Sequence, residues 1–140
     1  MNVDERSDAR ERALHLLYEA QSKGISVEEV IGAQVVEPDE LVLVLARGAE
    51  LASSRADELI EGKSRGWTLQ RMPVIDVAIM RMALFELLER ADVPTAVVLD
   101  EAVDLAKRFS TDDSGRFVNG VLAAIASEAV SYTHLRAHET

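Results

Sequence analysis

Residues Pro73 to Glu89 read PVIDVAIMRMALFELLE, and this stretch decides the fold. Proline suits the first turn of a helix, where its missing N–H would have had no partner. The apolar residues that follow do not keep to one face. Val74, Ile75, Val77, Ala78, Ile79, Met80, Met82, Ala83, Leu84, Phe85, Leu87 and Leu88 run most of the way round. A helix apolar on all sides is normally buried. At 17 residues it would be about 25 Å long, roughly the width of a small domain. Asp76, Arg81 and Glu86 interrupt the run, whereas a membrane span wants about 20 residues with few or no charges. The stretch is therefore expected to be a central core helix.

Upstream, Lys63 to Arg71 is a basic connector containing Gly66 and Trp67. Before it, Pro38 is expected to open a helix running to about Glu61, with Leu41, Leu45, Gly48, Ala52, Ala56 and Leu59 inward and Gly62 closing it. Its small residues, Gly48, Ala49, Ala52, Ser53 and Ala56, would let another helix approach closely, within the domain or across a dimer. Ser26 and Glu29 form a capping box, with Ile25 and Val30 placed as the hydrophobic staple, for a short helix ending near Val36. The first helix is expected from about Ser7 to Lys23. Ser7 would cap it, Asp8 and Glu11 favour its positive end, and Gly24 ends it in a left-handed conformation. Ala13, Leu14, Leu17, Tyr18 and Gln21 make its inward stripe.

Downstream, Asp92-Val93-Pro94 is a turn. A helix from Thr95 to Phe109 follows, with Val98, Leu99, Ala102, Val103, Leu105, Ala106 and Phe109 inward. Ser110 to Ser114 is a polar loop, and a last helix to about Val130 would bury Phe117, Val121, Leu122 and Ile125. Gly120 inside it costs about 1 kcal/mol against alanine, so a close helix crossing is expected there. The domain is expected to be residues 1–130. Residues 131–140, SYTHLRAHET, differ in composition and are expected to be a non-native or disordered tail.

The chain has 140 residues, enough for one domain, and no cysteine, which excludes disulfides and thiolate metal sites. MNVDERSDARERA carries no apolar signal core, so a cytoplasmic protein is expected. Aromatic residues and proline are scarce, and no Asn-Gly or Asp-Gly hairpin signal sits between alternating runs, so the fold class is all-α. A net charge of −10 argues against a non-specific nucleic-acid coat, where phosphate neutralisation dominates, but it leaves room for a local basic patch.

Catalytic chemistry is not evident. His15 is solitary, and a lone helical histidine is ordinarily a surface or satisfied residue. His134 and His138 have metal-ligand spacing with Glu139 adjacent, but they fall in the tail. There is no G-x-S-x-G, no phosphate-cradling glycine loop and no H-E-x-x-H. The carboxylate pairs Asp112-Asp113 and Asp100-Glu101 have no partner for acid–base work. No enzyme, metal or cofactor is expected. What remains is basic: Arg6, Arg10 and Arg12 head the first helix, Lys107 and Arg108 end the next-to-last, and Arg116 begins the last. If the fold gathers these ends, an acidic protein carries one basic face. The plainer account is that Lys107 and Arg108 complement a helix C-terminus while Arg10 and Arg12 pair with nearby glutamates in solvent.

SDARERALHLLYEAQ, VIDVAIMRMALFELLERADVPTAVVLDEAVDLAKRF and FVNGVLAAIA, in this order and spacing, resemble the NusB family of bacterial transcription antitermination factors over about residues 6 to 129. The resemblance implies a seven-helix bundle in two helical subdomains around the buried central helix. It implies binding to single-stranded boxA RNA of ribosomal RNA transcripts together with NusE, a ribosomal protein, and entry into the RNA polymerase antitermination complex that transcribes ribosomal RNA processively. It places the RNA face at Arg6, Arg10, Lys107, Asp113, Arg116 and Phe117. Cations would meet phosphates, and a partly exposed aromatic would stack on a splayed base. Tyr18 and Asp76 match positions on the NusE side. Some members form homodimers, which leaves that state open here. The dense N-terminal arginine cluster of the family is broken by Ser7 and Asp8 and preceded by Asp4 and Glu5, so RNA binding by the chain alone is expected to be weak. The same fold also serves larger RNA cytosine methyltransferases, for which this chain leaves no room. A different reading is a helical scaffold that recruits a protein partner without touching RNA.

Overall fold

The computed structural model describes the backbone of residues 3–139 and the side chains of residues 4–128. The chain forms α1 (Val3–Lys23), α2 (Val27–Gly32), α3 (Glu40–Leu51), α4 (Ser53–Lys63), a 3-10 turn (Leu69–Arg71), α5 (Val74–Glu89), α6 (Thr95–Phe109) and α7 (Ser114–Glu139). No strand occurs among the described residues. No described helix is long and apolar enough to cross a membrane.

The expected core helix is α5, and Pro73 stands just before its first turn. Ile79, Met80 and Leu84 have no exposed surface, and Met82 and Ala83 almost none. Side chains of this size contribute about 1.5–3 kcal/mol each when fully buried. The neighbours of α5 come in two groups. One is α1, α2 and α3, packed on each other; the other is α7 with α4 and α6; and α5 touches α1, α3, α4, α6 and α7. The fold is thus an all-α, seven-helix arrangement in two subdomains that share one helix.

The predicted single helix from Pro38 to Glu61 is two helices. Ala52 (φ −85°, ψ −1°) ends α3 and precedes α4. Neither glycine nor proline marks the break. It falls at the Ser53-Ser54 pair, the kind of small polar site where helices kink. Packing makes the bend worthwhile, because α3 lies on α1 and α5 while α4 lies on α5 and α7. Gly62 does not close α4; the chain reverses through left-handed Arg65 (φ 51°) and Gly66 (φ 86°).

Other boundaries shift for local reasons. The first helix starts at Val3, and Ser7, instead of capping it, donates to Glu101 Oε1 at 2.7 Å. Its buried stripe is Ala9, Ala13, Leu14, Leu16 and Ala20, which leaves Gln21 and Tyr18 exposed. The capping box of α2 forms as expected, with Glu29 N–H donating to Ser26 Oγ at 3.1 Å, although α2 stops at Gly32 and leaves Val35 and Val36 in solvent. No close crossing occurs at Gly120, around which there is open space. The close approach is at Gly48, where a Cβ would lie 2.2 Å from Phe85 Cζ, so α3 and α5 touch through a missing side chain. The α7 backbone continues past Val130 to Glu139. The side chains of the expected tail, His134 and His138 among them, lie outside the described residues.

The three charges that interrupt the apolar run of α5 are each held by a partner inside the fold. Arg10 Nε and Nη2 each donate to Glu86 at 2.9 Å, and Glu101 stands 3.9 Å from Arg10 Nη1. Asp76 accepts from Ser110 Oγ at 2.5 Å and Ser114 Oγ at 2.9 Å. Arg81 makes a bidentate pair with Asp57 at 2.7 and 2.8 Å. Two expectations are corrected here. Arg10 is 4% exposed and Asp76 1% exposed, so neither offers its charge at the surface. Burial opposes the charge on Arg10, but the hydrogen bonds and negative charge of Glu86, with Glu101 beyond, outweigh it and raise the guanidinium above its usual pKa.

Two sets of variants test this packing by urea denaturation. Gly48→Ala is expected to destabilise the fold by about 1–3 kcal/mol through overpacking against Phe85, whereas Gly120→Ala, in open helix, should gain up to about 1 kcal/mol. Arg10→Ala, which strands Glu86 as a buried charge, should cost about 3–5 kcal/mol. Combining Arg10→Met with Glu86→Leu should recover most of that loss, because the pair itself adds little over apolar packing.

Candidate nucleic-acid interface

Three exposed cations, Lys107, Arg108 and Arg116, lie where α6 ends and α7 begins. Basic residues Lys107 and Arg108 lie in the last turn of α6. Asp76 fixes the loop after them by accepting from Ser110 and Ser114. Thr111 N–H donates to Ser114 Oγ at 3.2 Å, and the Thr111 and Ser114 hydroxyls lie 2.7 Å apart. A buried carboxylate of the core helix thereby anchors the first turn of α7, from which Arg116 and Phe117 project.

Lys107 is exposed, and its stem lies over Gly115, where a Cβ would come within 3.0 Å of Lys107 Cγ. Arg116 and Asp113 are exposed and Phe117 is half-buried. Lys107, Asp113, Arg116 and Phe117 are thus brought together. Arg6 is also exposed, but it sits further along. The Ser7–Glu101 hydrogen bond and the Glu11–Arg108 ion pair lay α1 alongside α6, with Arg6 toward the N-terminal half of α6. Tyr18, 45% exposed, is on α1 beyond this patch, and Arg10 and Asp76 are inside the fold.

Charge availability differs among the basic residues. Arg6, Lys107 and Arg116 make no ion pair with any described residue. Arg108 is committed to Glu11 and, at 3.2 Å, to Asp104, and its guanidinium lies 4.9 Å above the Phe109 ring. Arg12 donates to Gln34 Oε1 at 2.5 Å. His15 is exposed and stands edge-on to Phe109, at 5.3 Å and 86°. No group of His, Cys, Asp or Glu side chains fit to hold a metal occurs among the described residues.

One residue in the patch was not singled out by sequence reading. Trp67, in the connector, is 55% exposed, and its ring centroid lies 6.4 Å from that of Phe117 at 50°. A groove of ≈ 530 Å³ opens elsewhere, where Leu17, Gln21, Ile25, Met72 and Val74 line the space between α1, α2 and α5. The charged groups at its wall are engaged: Asp57 pairs with Arg81, and Glu50 accepts from Val27 N–H at 2.9 Å.

Comparison with known proteins agrees with this architecture. The model of the NusB family matches residues 7–127. The transcription antitermination protein NusB of Saccharopolyspora erythraea is 47% identical, over 86% of this chain and 86% of its own. The solved structure of T. maritima NusB superposes with a TM-score of 0.79 at 31% identity, over 88% of this chain and 91% of that one. A chain from a solved complex of antitermination factors NusB and NusE with double-stranded RNA shares the fold, with a TM-score of 0.76 at 24% identity, over 91% of this chain and 99% of that one. On the family match and the identity to a curated relative over most of both lengths, this chain belongs to the NusB family of transcription antitermination proteins.

Proposed function

We propose that this chain binds the boxA segment of nascent ribosomal RNA together with NusE, and that the pair joins elongating RNA polymerase and keeps ribosomal RNA transcription processive. Membership of the family makes the chain an antitermination factor and not an enzyme. The observation that carries the RNA reading is the trio of exposed Lys107 and Arg116 with half-buried Phe117, whose two cations make no ion pair with a described residue in a chain of net charge −10. Unpaired cations beside a half-open aromatic are what a single strand needs: phosphates meet the former and a splayed base stacks on the latter. Asp113 stands at the edge of the trio as an acceptor for a base or ribose donor, and Arg6 extends the positive surface along α1. Arg10 supports the surface indirectly, by holding α1 on α5 through Glu86.

A protein partner enters the proposal through the solved complex of NusB and NusE with RNA, whose NusB chain has this fold. Tyr18, 45% exposed on α1, is the residue we assign to that partner, and the groove lined by the neighbouring Leu17 opens on the same helix. Asp76 contributes by fixing the α6–α7 loop, since its carboxylate is already used inside.

Fluorescence anisotropy with short single-stranded boxA RNA, with and without NusE and against a scrambled RNA, tests the reading. Affinity should fall with salt, with a logarithmic slope of roughly −0.7 per phosphate contact. Arg116→Glu should weaken binding and flatten that slope while shifting stability by no more than about 0.5 kcal/mol. Partner binding without RNA selectivity, insensitive to Arg116→Glu, would instead support the scaffold reading.

A further inference from the structure

We infer that Trp67 is a second base-stacking position, continuing the RNA path from Phe117 onto the Lys63–Arg71 connector. The inference rests on the RNA reading above and adds a residue and a direction to it. An exposed tryptophan needs an explanation, and here its backbone is held firmly. Ser64 is 4% exposed. Its hydroxyl donates to Trp67 O at 2.9 Å, with Glu61 O also within reach at 3.3 Å, and Trp67 N–H donates back to Ser64 O at 3.2 Å. Between the two residues the chain passes through left-handed Arg65 and Gly66, a conformation that a side chain such as that of arginine rarely adopts. Strained backbone of this kind persists where the surroundings fix it, and it clusters at functional sites. Its effect is to hold the indole outward against Phe117 and not folded into the core.

The surroundings favour nucleic acid over protein as the occupant. A protein interface core is apolar, but the residues flanking Trp67 are Arg65, Gly66, Thr68 and Gln70, all exposed. A single strand takes an aromatic platform set among cations. Arg65, Arg71 and Arg116 are exposed and make no ion pair with a described residue. Of the acids on the connector side, Glu128 is paired with Lys63 and Glu61 accepts from Leu69 N–H at 3.5 Å, while Asp113 remains exposed at the far edge of the patch. The Lys107 stem beside Gly115 and the Trp67 ring beside Phe117 lie on either side of Arg116 in the first turn of α7, which gives the proposed path its direction from Lys107 toward Trp67.

Trp67 is the one tryptophan of the chain, so its emission reports this position alone. Short single-stranded boxA RNA is titrated into the full chain with NusE present, with the Trp67→Phe chain as the emission blank. Anisotropy of a labelled copy of the same RNA is followed in parallel. Stacking predicts quenching that saturates at the RNA concentration where anisotropy saturates. Trp67→Ala should lose about tenfold in RNA affinity, which is about 1.4 kcal/mol, while Trp67→Phe keeps most of it and both retain the helical circular dichroism. RNA binding seen by anisotropy with unchanged emission and an unaffected Trp67→Ala would overturn the assignment and leave the RNA reading intact. An absence of any anisotropy change would overturn both. Quenching by NusE before RNA is added would give Trp67 to the protein partner and overturn the stacking role.

Discussion

A helix surrounded by neighbours cannot leave a charge in water except at its ends, and α5 carries Asp76, Arg81 and Glu86 ahead of the exposed Glu89 that closes it. Each must find a partner at the point where it meets a neighbouring element, and each does so on a different one: Glu86 with Arg10 of α1, Arg81 with Asp57 of α4, Asp76 with the serines around the α6–α7 loop. Apolar packing supplies most of the stability, but it is tolerant of small rotations and slides. Bidentate and multiply bonded polar contacts are not. The three pairs therefore fix which helix lies against which part of α5. An uncompensated buried charge is among the costlier defects a fold can carry, so alternative packings that separate these partners are disfavoured beyond their loss of apolar contact.

How much of this was legible follows from the range of each signal. The all-round apolar run of α5, the bounds of α6 and the capping box at Ser26 depend on residues a few positions apart, and the structure has them where the sequence indicated. The break at Ala52 was not legible. The Ser53-Ser54 pair permits a bend without requiring one, and packing against two different groups of helices is what produces it. The family resemblance implies an RNA-facing Arg10 and a NusE-facing Asp76, and no local signal reveals their burial: the partner of Arg10 lies 76 positions away, and those of Asp76 are two serines around a loop whose folding no spacing rule describes. Gly120 attracted attention as a mid-helix glycine, whereas the glycine that matters sterically is Gly48.

The candidate site divides along the same line. Lys107, Arg116 and Phe117 are neighbours in sequence or across one short loop, so their convergence could be anticipated. Trp67 could not be, because its proximity to Phe117 depends on how α4 ends and on a reversal through Arg65 that no turn rule favours. Distribution of charge matters more here than its sum. Lys107 and Arg116 make no ion pair with a described residue and stand on the two sides of one junction, so the local potential there can be opposite in sign to the net charge.

The anchoring of the α6–α7 loop to Asp76 also sets a timescale. Opening that loop would expose Ser110 and Ser114 and strip a carboxylate, 1% exposed, of both hydrogen bonds inside the core. Local fluctuation of this kind approaches the free energy of global unfolding, so backbone amides across the junction should exchange with solvent at nearly the rate of the core. The surface presented by the first turn of α7 is then as long-lived as the fold itself. A ligand meeting it finds the side-chain bases already in register and has little backbone entropy left to remove.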